Sequence, residues 1–227
     1  MSHLHIPDGL LPVAWWAGGL VVALALLIRA SRLSRHASPQ RIAYQGALGA
    51  LMLAAMSIPL GPFEYHLTLA GPIGVLLGGA GSFQVAFIVS TILALMGHGG
   101  LTVIGLNALI LGSAAVIARG AFPFLRHRLA PGPSLAIASG AGQAVAGLLW
   151  LVIVTVALRG SGATTAAERT HLAPVAAVAI PLWALGIVAE GAVAWGLARF
   201  LARVRPELLG PAPDDVAPRA VAEGGAA

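Results

Sequence analysis

The stretch Leu10-Leu11-Pro12-Val13-Ala14-Trp15-Trp16-Ala17-Gly18-Gly19-Leu20-Val21-Val22-Ala23-Leu24-Ala25-Leu26-Leu27-Ile28 contains no charged side chain. A helix needs ~20 apolar residues to cross the hydrocarbon core of a bilayer, and this run supplies them. Trp15 and Trp16 near its start suit the membrane–water interface. Arg29, Arg32, Arg35 and Arg41 follow it closely and mark where the apolar medium ends. The rest of the chain repeats the pattern. Hydrophobic residues make up 58% of the 227 positions and charged residues 9%, against roughly 25% charged in a soluble domain. The composition is that of an all-α polytopic membrane protein, since a spanning segment must satisfy its backbone internally.

Working outward, the second apolar segment covers residues 42–60 and ends at Pro59-Leu60-Gly61-Pro62, a strong breaker. Segments 67–77 and 83–96 are short and are separated by Gly78-Gly79-Ala80-Gly81-Ser82, which reads as a glycine turn between two helices. Short spans are tolerated inside a bundle. Segments 101–118, 134–158 and 172–198 follow, the first containing Asn107 and the last Glu190. Seven spans in one bundle over residues 10–205 are therefore expected. They are preceded by a short segment at 1–9. A tail rich in Pro, Ala and acidic residues follows at 206–227, expected to be disordered and cytoplasmic. Alternating seven spans puts 11 of the 13 Arg on one side, leaving only Arg159 and Arg169 on the other. The Arg-rich side is cytoplasmic by the positive-inside rule, so the N-terminus faces out of the cell membrane.

Composition also excludes functions. There is no Lys, so a phosphate-binding loop ending in G-K-[ST] is absent and ATP is not bound that way. There is no Cys, which removes disulfides and thiolate metal sites. The net charge of +5 is orienting Arg, not a nucleic-acid footprint. The first basic residue is Arg29, so no basic region of a signal peptide precedes the first span, which is expected to be retained.

The chemistry lies just before that span, in His3-Leu4-His5-Ile6-Pro7-Asp8-Gly9. A terminal amine, backbone amides and imidazoles close fused chelate rings of a kind that suits Ni(II), Cu(II) or Co(II); solvated, frayed terminal histidines are the bland alternative. The alternation places His3, His5, His66, His98 and His171 at the outer ends with Asp8 and Glu64, and only His36 and His127 inside. Asp8 reads as a turn or cap residue feeding the first helix, or as an acceptor for a ligating imidazole. His98 reads as a residue of a helix-start turn, or as part of the metal-site machinery behind the ligands, and His171 as a solvated loop residue. Asn107, mid-span, needs partners for its amide, either in orienting the metal loop or in helix packing. Glu190 is the only carboxylate inside a span, a costly position that usually has a use. An Arg snorkelling from the cytoplasmic boundary is the bland partner for it. The spacings Ala43/Ala47, Ala50/Ala54 and Gly142/Ala146 allow close helix approach and could serve docking to a transmembrane partner.

The run His5-Ile6-Pro7-Asp8-Gly9-Leu10-Leu11 resembles the start of the CbiM/NikM family. These are the cobalt/nickel substrate-binding (S) components of energy-coupling factor (ECF) transporters, a class of ABC importer. His66, Gly97-His98-Gly99-Gly100-Leu101-Thr102 through Asn107, Glu190-Gly191 and Arg203-Val204-Arg205-Pro206-Glu207 extend the resemblance in order to residue 209. His98 departs from the pattern, where an acidic residue is more usual. The resemblance implies a site on the outer face, with the metal held by the terminal amine, the next backbone amide and two imidazoles, here His5 and His66. Three extra residues precede Leu4, so His5 is not second in the chain. Leu4 is then the true start, or Met1 is removed and His3 replaces His5, or Met1-Ser2-His3 chelates intact. The implied cargo is Co(II) or Ni(II). The implied partners are a transmembrane T component, two cytoplasmic ATPases and a small accessory membrane subunit, in contact with lipid and no nucleic acid. Such a subunit is not an enzyme. The rivals are an ECF component for an organic micronutrient and an intramembrane metalloenzyme. The latter lacks its H-E-x-x-H signature here.

Overall fold

The computed structural model describes residues 5–59, 66–160 and 166–210, the side chains of 158–179 excepted. Met1, His3, Glu64 and residues 211–227 lie outside the described residues, as does the side chain of His171. The helices are α1 Val13–Leu33, α2 Pro39–Ser57, α3 Ala70–Leu95, α4 Ile104–Arg126, α5 Pro131–Gly160 and α6 Ala166–Val204, followed by a 3-10 turn at Pro206–Leu209. No strand occurs among the described residues. Five of these helices are long and apolar enough to cross a membrane, α2 being the exception. The polar start of α2 (Gln40, Arg41 and Gln45) dilutes its hydropathy. Ser38 caps it, accepting a hydrogen bond from the Arg41 amide at 3.3 Å with Pro39 in its first turn.

The two short helices expected at 67–77 and 83–96 are one assigned element, α3, broken at Gly78 (φ 77°, ψ 175°). The expected five-residue turn contracts to that glycine, because one residue in a region closed to other side chains suffices to redirect the chain. A straight helix of 26 residues would be ~39 Å long. Yet the rings of His66 and His98, which flank α3, have centroids 5.5 Å apart. The few residues beyond its two ends cannot span that difference, so the chain doubles back at Gly78. Both arms pack on α4: a Cβ on Gly74 would strike the Ala115 backbone, and one on Gly112 would strike the Phe83 ring.

α3 is the axis of the bundle. Two thirds of its most apolar window is buried, against 17% in α1 and in α6. The outer faces of those two helices expose Val21, Leu24, Ile28, Leu185, Val188 and Phe200, as lipid-facing surfaces do. Close approaches at glycine hold the helices together: Gly105 lies on the backbone of Gly19 and Leu20, and Gly142 on the Ala114 carbonyl. Gly142 and the buried Ala146 thus serve the internal contact of α5 with its neighbours and not partner docking, whereas Ala43, Ala47, Ala50 and Ala54 remain exposed along α2. One apolar cluster surrounds Ile6, Leu69, Val103 and Ile110, and a second surrounds Val75, Phe122, Leu135 and Leu201. Leu209 joins the second. Pro206–Leu209, within the segment expected to be disordered from residue 206, forms a 3-10 turn because Leu209 buries its side chain against the bundle.

Candidate metal site

From His5 onward, the residues before α1 fold onto the bundle. Ile6 is fully buried and Leu11 nearly so, both within the cluster that includes Leu69 and Val103. The carboxamide of Asn107, from the second turn of α4, holds the backbone of Ile6 in both directions. The Ile6 N–H donates to Asn107 Oδ1 at 2.8 Å, and Asn107 Nδ2 donates to the Ile6 carbonyl at 3.2 Å. The Gly100 N–H donates a second bond to that carbonyl, at 3.2 Å. Of the two readings of Asn107, orienting the loop is the one the geometry carries.

Asp8 makes the second anchor. Its carboxylate accepts the N–H groups of Leu101 and Thr102, each at 2.8 Å, and the Thr102 hydroxyl at 2.5 Å. These bonds hold the carboxyl of Asp8 below the usual carboxylate range. Asp8 is a cap, as its type suggests, but for the turn that enters α4; α1 starts at Pro12 with no side-chain cap. The N-terminal end of α4 lacks an acceptor of its own, its cap position being Val103. Asp8 instead bonds the two residues just before that position, Leu101 and Thr102, from 93 and 94 residues away in sequence.

His98 sits at the end of α3, not at the start of a helix. The Gly97 N–H bonds the Ala94 carbonyl at 3.1 Å and the His98 N–H bonds the Leu93 carbonyl at 2.8 Å. Gly97 takes the left-handed conformation (φ 82°) that this helix ending requires. The exposed His98 ring then stands edge-on to the buried His66 ring. His5 faces the same place. Its imidazole, desolvated and next to His98 and His66, is pushed down from 6.5 to about 4. Three imidazoles from three distant parts of the chain therefore converge: His5 from the N-terminal segment, His66 from the entry to α3, and His98 from its exit. Gly99, in a left-handed backbone (φ 93°), lies beside the His5 ring and the Asn107 carboxamide. Among the described residues no group of three His, Cys, Asp or Glu has the spacing to hold an ion.

Glu190 has no Arg partner among the described residues. It is buried (2% exposed), and its carboxyl oxygens accept the N–H of Thr68 and, at 3.3 Å, that of Leu69. Sequence reasoning missed this pairing, because backbone amides 121 residues away leave no signature in the chain.

Several apolar helices around a re-entrant central element, with one polar end carrying the imidazoles, define a polytopic membrane protein. Two crystal structures of transition metal transporters share the fold. One, a truncated form, gives a TM-score of 0.71 at 20% identity over 89% of this chain and 98% of that one. The other gives 0.73 at 19% identity, over 88% and 93%. The chain belongs to the CbiM family, the cobalt uptake substrate-specific transmembrane region, which it matches over residues 5–208. It is 34% identical to the cobalt transport protein CbiM of Geobacter sulfurreducens over 91% of this chain and 61% of that protein. Against the CbiM of Sorangium cellulosum it is 28% identical, over 91% and 94%. A fused cobalt transport protein CbiMQ of Methanocorpusculum labreanum is 26% identical, over 90% of this chain and 36% of that protein. The chain thus spans about three fifths of the Geobacter relative's length.

Proposed function

We propose that this chain is the substrate-capture subunit of an ECF-type importer for Co(II) and Ni(II), binding the ion on the outer face of the membrane. His5 and His66 are the imidazole ligands. The amino terminus completes the donor set: that of Leu4 where the native chain starts there, Ser2 with His3 in place of His5 where Met1 is removed, or Met1-Ser2-His3 as an intact chelate. Asp8 and Asn107 fix the N-terminal segment, and His98 closes the site beside His66. The single observation that carries this reading is the convergence of His5 on His66 and His98.

Neutral imidazole is the metal-binding form, and the lowered pKa of His5 keeps it in that form at physiological pH. Relatives named as cobalt transport proteins favour cobalt as the cargo, and nitrogen donors accept nickel equally well. With both ends of the re-entrant α3 on the outer side and the other five helices alternating across the membrane, the N-terminus lies outside and the Arg-rich ends of α1, α4 and α6 lie in the cytoplasm. The fused CbiMQ relative supports assembly with a second membrane component. The T component and two ATPases provide the energy for release inward, and this subunit does no chemistry.

The test is His66→Ala in the purified protein. Helix content by circular dichroism stays at the wild-type level and bound cobalt or nickel is lost. Retention of the metal at wild-type stoichiometry would remove His66, and the site, from this account. Mass spectrometry of the native N-terminus then decides between Met1, Ser2 and Leu4 as its first residue.

A further inference from the structure

The loop that presents His66 is held from below by α6, the element at the far end of the chain. α3 begins at Ala70, and its cap position is Leu69, whose side chain offers no acceptor. Leu69 also adopts a left-handed backbone (φ 54°), the only non-glycine residue among those described to do so, and a costly one for a bulky side chain. Glu190 holds this entry, accepting the N–H groups of Thr68 and Leu69 immediately before the helix. Thr68 completes the arrangement. Its hydroxyl accepts the Ala70 N–H at 3.2 Å and reaches Gln143 of α5 at 3.5 Å. Thr68, Leu69, Gln143 and Glu190 are each at least 93% buried, so no water replaces these bonds if one partner is removed.

His66 stands two residues upstream of Thr68. Resting on the reading of His66 as a metal ligand, we propose that Glu190 is the positioning residue of the site: it clamps the entry to α3 and so sets where the His66 imidazole stands relative to the N-terminal segment. It touches no metal. The arrangement also ties the ligand to the outer surface of the bundle, because α6 exposes Leu185 and Val188, five and two residues before the buried Glu190. A displacement of α6 is transmitted to Thr68 and Leu69 and, through them, to His66.

The experiment compares wild type, His66→Ala, Glu190→Gln and Glu190→Asp, purified intact in detergent, by titration with Ni(II) and by the visible absorption of the bound ion. The glutamine keeps the shape but exchanges one acceptor for an N–H group facing a backbone N–H. Glu190→Gln is expected to lose tenfold or more in affinity and to show an altered d–d spectrum at saturation, because His66 no longer completes the ligand set. Glu190→Asp, which keeps both acceptors, falls nearer to wild type. Wild-type affinity and spectrum in Glu190→Gln overturn the inference. So does a weaker affinity with an unchanged spectrum, which is what a purely structural loss gives. If Glu190→Gln does not fold, Thr68→Val, which loses the hydroxyl between Ala70 and Gln143, carries the same two outcomes. A wild-type protein that binds no Ni(II) removes the site reading and this inference together, whereas metal loss confined to His66→Ala removes the inference alone.

Discussion

At the residue scale, side chains from one part of the chain satisfy backbone groups of another. Asn107 forms the doubled bond to Ile6, and each such bond contributes about 1 kcal/mol when buried. Asn107→Leu breaks both, leaving the Ile6 amide buried without a partner and its carbonyl with the Gly100 N–H alone. Limited proteolysis near Pro7 is expected to accelerate, and metal affinity to fall, while the helices persist. Asp8→Ala loses the cap on the turn into α4 and costs about 1 kcal/mol of thermal stability. His5 sets a pH dependence whose sign follows from its depressed pKa. The unfolded chain takes up a proton near 6.5 and the folded chain only near 4, so between those values the unfolded state binds more protons. Stability of the metal-free protein is flat above 6.5, falls as the pH drops towards 4, and falls less in His5→Ala. Thermal unfolding at pH 7 and pH 5 checks this; an equal drop in both proteins contradicts it.

At the element scale, α3 separates what could be read from what could not. The glycine run at Gly78-Gly79-Ala80-Gly81-Ser82 announces a break, and the chain reverses there. That only Gly78 leaves the helix was not legible, because nothing in the sequence distinguishes it from Gly79; the packing of both arms on α4 chooses. Gly78→Ala puts a Cβ into a region that is nearly closed to it, and an expected loss of about 1–3 kcal/mol is measurable as a lower Tm. Gly105→Val is worse: its side chain would overlap the α1 backbone at Leu20. Wild-type expression and Tm in that variant would contradict the contact of α1 with α4. His98 shows another limit of sequence reading. The Gly-His-Gly-Gly run marks a turn, but whether it closes α3 or opens α4 depends on which carbonyls its amides reach.

At the scale of the whole molecule, the membrane class follows from 58% hydrophobic and only 9% charged residues, and the five apolar helices agree with it. The histidines could be assigned to one end by alternation alone, and His5, His66 and His98 do meet there. What lay beyond the sequence were the long-range anchors, Asp8 to Thr102 and Glu190 to Leu69, which tie segments 94 and 121 residues apart. Periodicity reports which face of a helix is apolar, and says nothing about which distant amide a carboxylate will meet. The proposed orientation is open to a direct check: a small tag after Ser2 is expected to be labelled by a membrane-impermeant reagent on intact cells, and a tag at the C-terminus only after lysis.

The central claim is that the N-terminal segment and His66 enclose one divalent ion together. X-ray absorption at the cobalt or nickel edge of the loaded, intact protein tests it most directly. A coordination shell of nitrogen with the outer scattering of imidazole rings, weakened in both His5→Ala and His66→Ala, is the expected result. A shell of oxygen without imidazole scattering, or a spectrum indifferent to both substitutions, would contradict it.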